Sequence, residues 1–167
     1  MTFPGSQRVR LGLVSGLTAV AATLALSAFG SAAKPANNPP GANGTVKIDG
    51  VPFDTAPDNQ PHVGCVFQVD FYGFDQGPYD ASVNFTMQPP SGRRSVLDDT
   101  VFVGEDPAGG GTDLDAEATY DLNMLVYASE RHPQQGFHVT LTVLAPGAGG
   151  KVAKKSKTFW LTDCVDP

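Results

Sequence analysis

The sequence is poor in charge and in the residues that usually mark a catalytic or metal centre. Of its 167 residues only 17% are charged, and it has two cysteines, three histidines and one tryptophan. Lysine and arginine number 11 against 17 aspartates and glutamates, which argues against a nucleic-acid-binding face. Long leucine, alanine, glutamate and lysine runs are scarce, which argues against a helical bundle. A hydrophobic content of 41% excludes a wholly disordered chain, and the length fits one domain.

The sequence contains no catalytic motif. His62, His132 and His138 are dispersed, and none lies in an H-E-x-x-H or H-x-H pattern. There is no G-x-S-x-G nucleophile elbow, and the two cysteines are better explained as a disulfide than as a nucleophile. We therefore predict that the protein is not an enzyme. A hydrolase whose triad is assembled by folding ranks third among the functional alternatives.

The first 33 residues differ from the rest of the chain. Arg8 and Arg10 precede an uncharged stretch at 11–29, and Ser31 and Ala33 satisfy the small-x-small rule for signal-peptide cleavage. Residues 1–33 are thus predicted to be a signal peptide, with an uncleaved membrane anchor as the alternative. Nine basic and 17 acidic residues lie beyond residue 33, so the mature chain has a net charge of −8. We expect it to be secreted and either released or retained in the cell envelope.

Export changes the interpretation of the cysteines. Cys65 and Cys164 are 99 positions apart, and an oxidising destination favours a disulfide between them. A zinc site competes poorly, because no nearby Cys or His pair has ligand spacing. The bond is predicted to join an early strand to the last one and to enclose most of the domain.

Alternating hydrophobic and polar residues predict strands after a Pro/Asn/Gly-rich, flexible lead-in at residues 34–44. The alternation is clear at 46–49, 65–72, 82–87, 137–143 and 158–162, and weaker near 95–103 and 119–122. Turn residues separate these segments. About seven such strands predict an all-β fold over residues 45–167, an immunoglobulin-like or prealbumin-like antiparallel β-sandwich.

One segment has helical rather than strand spacing. Leu122, Leu125 and Val126 follow Asp121, a suitable N-cap, and Pro133 ends the run. We predict one short helix there, in the connection before the next strand.

An acidic segment provides a candidate metal site. Its carboxylates surround three consecutive glycines, and they belong to Glu105, Asp106, Asp113, Asp115 and Glu117. Clustered carboxylates on a loop are typical Ca²⁺ ligands. The spacing imitates the start of an EF-hand loop but lacks its glycine and its closing glutamate. The alternative, which the sequence favours, is a solvated acidic loop that prevents edge-to-edge pairing and needs no cofactor.

Three aromatic residues provide a candidate ligand-stacking platform: Tyr72, Tyr79 and Trp160. Tyr72 and Trp160 are expected on outward faces, where the rings of β-sandwich modules stack against sugars. The alternative is that Tyr72 and Tyr79 only cover the end of the sandwich, next to core aromatics.

Four lysines lie close together in an otherwise acidic chain: Lys151, Lys154, Lys155 and Lys157. They either hold an anionic wall polymer or phosphate, or protect an exposed hairpin or edge strand from aggregation. The protected edge is the favoured interpretation.

Four stretches carry a resemblance to known proteins: Gly44–Asp54, Pro61–Asp75, Val101–Ala116 and Lys157–Cys164. They resemble a group of exported actinobacterial proteins, largely uncharacterised, many of which continue into a Pro/Thr-rich stalk with a sortase-type wall-anchoring signal. The resemblance covers nearly the whole mature chain and implies a cell-surface or secreted setting, without a known activity or site. Because this sequence stops at Pro167 without stalk or sorting signal, we expect release or passive retention.

These features predict a non-enzymatic secreted or cell-envelope module with an interaction or structural role. The expected partners are a cell-wall polymer, a polysaccharide or another surface protein. Nucleic acid is not expected, nor a membrane after signal cleavage. The alternative is a carbohydrate-binding or Ca²⁺-stabilised adhesion module.

Overall fold

The computed structural model describes residues 43–54, 56, 58–107 and 109–164. The predicted signal peptide at 1–33, residues 34–42 of the predicted lead-in and the last three residues lie outside this part of the chain. The described residues all belong to one unit, Lys34–Pro167. None of their helices is long and apolar enough to cross a membrane.

The described residues form two β-sheets. The strands are β1 (Thr45–Gly50), β2 (His62–Val63), β3 (Val66–Tyr72), β4 (Asp80–Met87), β5 (Ser95–Phe102), β6 (Leu114–Asp121), β7 (Phe137–Gly147) and β8 (Lys151–Leu161). One sheet has the order β1-β3-β6 and the other β2-β8-β7-β4-β5. All pairs are antiparallel except β2 with β8. The predicted antiparallel sandwich is confirmed.

The strand order is immunoglobulin-like. Strands β1, β3 and β6 take the places of A, B and E, and β4, β7 and β8 those of C, F and G. The strand that the sequence did not predict is β2, which at two residues is too short for alternation to be visible. It lies parallel to the end of β8.

The core lies between the two sheets and is built from the alternation that the sequence predicted. Phe67, Val69 and Phe71 point inward from β3, where each is fully buried. They face residues such as Phe85 of β4 and Phe159 of β8, which are at most 1% exposed. Removing these apolar faces from water is the main stabilising contribution to a sandwich of this kind.

The predicted disulfide is present. Cys65 precedes β3 and Cys164 follows β8, and their Cα atoms are 5.0 Å apart. The bond closes the chain across 99 positions. It therefore ties the central strand of the smaller sheet to the last strand of the larger one, as expected.

The predicted short helix takes the form of two single 3-10 turns, Asn123–Leu125 and Ala128–Glu130. Asp121 Oδ1 accepts the backbone N–H of Asn123 at 3.0 Å, but extended backbone at Val126 ends the first turn. Leu122 is fully buried and Val126 is 2% exposed. The helical spacing therefore marks two core anchors of a loop and not one face of a helix.

The lysine-rich strand β8 forms an edge of the larger sheet. It pairs with β7 along its whole length, whereas β2 reaches only Trp160 and Leu161. Within the described residues, the remaining length of β8 has no strand on its other side. Lys155 and Lys157 lie on the same side of β8 as the buried Phe159. The predicted edge position is confirmed, and inward-pointing charges on an edge strand oppose further pairing; the protective role of the lysines stays a prediction.

Candidate metal centre and binding surface

The connection between β5 and β6 and the start of β6 bring three of the five predicted metal ligands together. Asp106, Asp113 and Asp115 each offer a carboxylate oxygen, and these atoms lie within 4.8 Å of one another. Asp106 is exposed, Asp113 is half-buried and Asp115 is 5% exposed. Glu105 and Glu117 line a shallow groove that also contains Asp115. Glu117 Oε1 accepts a hydrogen bond from Nε2 of Gln68, so the cluster consists of the three aspartates, and Asp115 is the deepest of them.

A β-bulge determines where Asp115 points. The register of β3 against β6 shifts between Phe71 and Tyr72, and Asp115 is the unpaired residue of β6 opposite that shift. A bulge commonly redirects a side chain in this way. Oδ2 of Asp115 accepts the backbone N–H of Phe74 at 2.8 Å. Its Oδ1 is buried and accepts no hydrogen bond.

The surroundings of Asp115 disfavour its charged form. Burial raises the pKa of this carboxyl to about 6, and the carboxylates of Asp113 and Asp106 add to the rise. The N–H groups of Phe74 and Gly73 oppose it. At neutral pH the structure thus holds a buried anion beside two further carboxylates, an arrangement that a positive ion would relieve.

Asp115→Asn is expected to stabilise the ion-free protein at neutral pH. Because the pKa rises from its ordinary value of 3.8 to about 6 on folding, stability falls as the pH increases through this window. Asparagine lacks the charge but keeps an oxygen for the Phe74 N–H. We expect the variant to exceed the wild type by about 2–3 kcal/mol at pH 7.5 and nearly to match it at pH 4. Urea denaturation in the presence of a chelator measures the unfolding free energies at both pH values. A difference between variant and wild type that is the same at pH 4 and pH 7.5 would contradict the assignment.

A second acidic cluster, which the sequence analysis did not single out, lies between β1 and β2. Asp49, Asp54 and Asp58 also bring carboxylate oxygens within 4.8 Å of one another. Asp49 is 1% exposed, but both of its oxygens accept hydrogen bonds, from the backbone N–H of Asp54 at 2.7 Å and from Nε2 of Gln60 at 2.8 Å. This cluster organises a loop, and it differs from the first because its buried carboxylate is satisfied.

Tyr72 lies on the outward face of β3, as predicted, but it is not exposed as a stacking platform would require. The residue is 4% exposed, and its hydroxyl donates to Oδ2 of Asp70 at 3.5 Å. Burial and the neighbouring Asp70 charge raise the pKa of the hydroxyl to about 12. On this face β1 and β6 place Lys47 and Glu117 on either side of Asp70. Glu117 also accepts a hydrogen bond from Gln68, so longer side chains flank the polar row of β3.

The three aromatic candidates do not form one platform. Tyr79 packs against the core beside the start of β4, where its backbone bonds link Gly77 to Val103. Trp160 lies at the other end of the sandwich, near the end of β8 and opposite the start of β7. Only Trp160 therefore stays on an outward face of the larger sheet.

All three histidines converge on Trp160. His62 and His138 are its partners on the two neighbouring strands. The His138 ring stacks on the indole with centroids 4.3 Å apart, and the His132 ring lies 5.8 Å away. Sequence reasoning missed this group because only strand pairing and a loop bring its members together. The ring hydrogen bonds of His132 and His138 go to backbone groups, those of Gln134 and Pro89.

The outer face of the larger sheet carries a regular grid of small polar side chains, which we call the hydroxyl face. Register partners on adjacent strands form three rows across the sheet. The first row is Thr158, Thr140, Thr86 and Ser95, the second is Ser156, Thr142, Asn84 and Asp98, and the third is Ser82 and Thr100. Oγ1 atoms of Thr140 and Thr158 lie 2.9 Å apart, and Nδ2 of Asn84 donates to Asp98 Oδ1 at 2.7 Å. Trp160 and His138 continue the grid at one end.

A shallow groove crosses the hydroxyl face near β5. It is lined by Ser82, Asn84, Asp98, Thr100 and the 42%-exposed Leu144. Hydrogen-bonding groups and one apolar side chain are thus presented together on a rigid sheet.

No protein-family model, curated protein or solved structure matches this chain. The resemblance to exported actinobacterial proteins stays a prediction that rests on the four sequence stretches. Export and the absence of catalysis stay predictions as well.

Proposed function

We propose that this chain is a non-enzymatic interaction module of the cell envelope, secreted or retained there, which binds a neutral polysaccharide through the hydroxyl face. The observation that carries the proposal is the in-register grid of hydroxyl and amide groups across four strands, β8, β7, β4 and β5. The disulfide supports an extracytoplasmic setting, since such bonds persist in oxidising compartments.

The chemistry of the hydroxyl face suits a sugar polymer. A polysaccharide offers hydroxyl groups that both donate and accept, and Ser, Thr and Asn side chains do the same. Asn84 is held in place by bonds to Asp98 and Ser95, and Oγ1 of Thr86 donates to its Oδ1 at 2.6 Å. Groups oriented in this way lose little further freedom on binding.

Charge favours a neutral polymer over an anionic one. Asp98 lies within the grid and Lys154 at its border, whereas the remaining hydroxyl-face positions are uncharged. Trp160 adds an apolar ring at the end of the grid. His138 covers one side of that ring, so Trp160 can contact the polysaccharide only at the edge of the site. The Ser and Thr hydroxyls and Asn84 therefore provide the main binding contacts.

Binding to purified cell wall and to neutral polysaccharides tests the proposal. We expect Asn84→Ala and Thr142→Ala each to weaken retention about tenfold, because each removes groups that bond the ligand. Trp160→Ala is expected to have a smaller effect. Thr119→Ala, an exposed threonine on the other sheet, is the matched control and should bind like the wild type.

Three outcomes would contradict the proposal. Binding that Asn84→Ala and Thr142→Ala leave unchanged would remove the hydroxyl face as the site. Retention only by a purified surface protein would favour a protein partner. Steady release of soluble sugar during the assay would indicate a hydrolase.

A further inference from the structure

The buried oxygen of Asp115 is the one buried side-chain oxygen or nitrogen without a hydrogen-bond partner in the described part of the chain. Asp115 is 5% exposed, and its carboxylate faces those of Asp106 and Asp113 within 4.8 Å. A buried polar group without a partner is costly, and a buried anion more so. The ion pair that the described residues contain, Arg94 with Glu130, involves none of the three.

We propose that Asp106, Asp113 and Asp115 bind a divalent cation, Ca²⁺, at this end of the sandwich. Asp115 Oδ1, which accepts no hydrogen bond, coordinates the cation, and the positive charge reduces the repulsion among the three carboxylates. This assignment is independent of the polysaccharide proposal, because the hydroxyl face contains none of these residues.

The nature of the ligands favours Ca²⁺ over Mg²⁺. Ca²⁺ binds carboxylate oxygens at about 2.3–2.6 Å in flexible geometry, whereas Mg²⁺ demands a near-ideal octahedron at about 2.1 Å and loses its water reluctantly. The three carboxylates, one exposed, one half-buried and one buried, offer oxygens within 4.8 Å of one another. Ca²⁺ also tolerates irregular geometry and completes its shell with water or backbone carbonyls.

Backbone hydrogen bonds hold Asp113 in place beside the end of β3. The N–H of Gly73 donates to the carbonyl oxygen of Asp113 at 2.9 Å, and the N–H of Gly109 donates to Oδ2 of Asp113. Gly73 has a φ of +66°, and a Cβ added there would lie 2.7 Å from the Gly110 carbonyl oxygen. The loop that carries Asp113 is therefore held close against the end of β3, and the Asp106 carboxylate approaches the other two from the exposed side.

The binding is expected to be that of a stabilising extracellular site. Three carboxylates predict a dissociation constant of about 10⁻⁴–10⁻³ M. In chelator-treated protein, 5 mM Ca²⁺ should then raise the melting temperature by about 3–10 °C, with a smaller rise for Mg²⁺. Amide resonances of Phe74 and of residues 109–113 should shift on titration. Added NaCl of equal ionic strength should not reproduce the change.

Matched variants locate the ion. Asp115→Asn keeps the bond to Phe74 and should fold, yet lose the Ca²⁺-dependent rise; Asp106→Asn should reduce it. Asp54→Asn, in the second acidic cluster, should keep the full rise. No rise in the wild type, or a rise that persists in Asp115→Asn, overturns the proposal. A rise lost only in Asp54→Asn would also overturn it, because the ion would then lie between β1 and β2.

Discussion

Replacing both Cys65 and Cys164 by alanine is expected to lower the free energy of unfolding by about 4–5 kcal/mol. The bond spans 99 positions, and in the chain-entropy model a loop of that size restricts the unfolded chain by about this amount. Alanine is chosen because Cys65 is 2% exposed, and a serine hydroxyl there would add the cost of burying a polar group. Urea denaturation of variant and wild type measures the loss.

Reduction of the wild type provides the control for this prediction. Protein unfolded in the presence of a reductant should show nearly the same loss as the double alanine variant, since both remove the same constraint. A loss below about 1 kcal/mol in the variant would contradict an important role of the bond in stability. Mass spectrometry of the untreated protein should find no free thiol.

Phe67→Ala is expected to destabilise the protein by about 3–5 kcal/mol, the usual range for a buried phenylalanine. Phe67 is fully buried and belongs to the smaller sheet. Its ring contacts Phe85 and Phe159 of the larger sheet, with centroids 5.6 and 5.3 Å apart, and Tyr120 at 5.9 Å. The substitution therefore leaves a cavity where the two sheets meet.

Phe102→Ala is the matched control, because Phe102 is 51% exposed at the end of β5. We expect it to change the unfolding free energy by no more than about 0.5 kcal/mol. Equal losses in the two variants, measured by urea denaturation, would contradict the assignment of Phe67 to the centre of the core.

The candidate metal centre was only partly predictable. Composition identified all five carboxylates of the acidic segment, because such clusters are visible within a short stretch of sequence. The selection of Asp106, Asp113 and Asp115 depends on a bulge in β6 and on contact with Phe74, about forty residues away in the chain. Period-two alternation assumes a regular strand and therefore cannot locate that bulge.

The aromatic candidates show the same limit to what alternation predicts. Alternation correctly placed Tyr72 on the face of β3 opposite the core, but it contains no information about what covers that face. Gln68 and Asp70 on the same face are also less than 10% exposed, because Gln68, Asp70, Tyr72 and the neighbouring Glu117 bond to one another along it. An exposed position and an outward-facing position are thus different properties.

The sequence by itself determined the features that depend on neighbouring residues or that allow only one pairing. Alternation assigned the core faces of the main strands, a single cysteine pair allowed a single bond, and closely spaced lysines marked the edge strand. Tertiary structure alone decided which distant groups meet: three histidines around Trp160, the hydroxyl face across four strands, and an unpaired Asp115 oxygen beside two other carboxylates. The reason is that side-chain direction follows from backbone periodicity, whereas neighbourhood follows from strand pairing between distant segments.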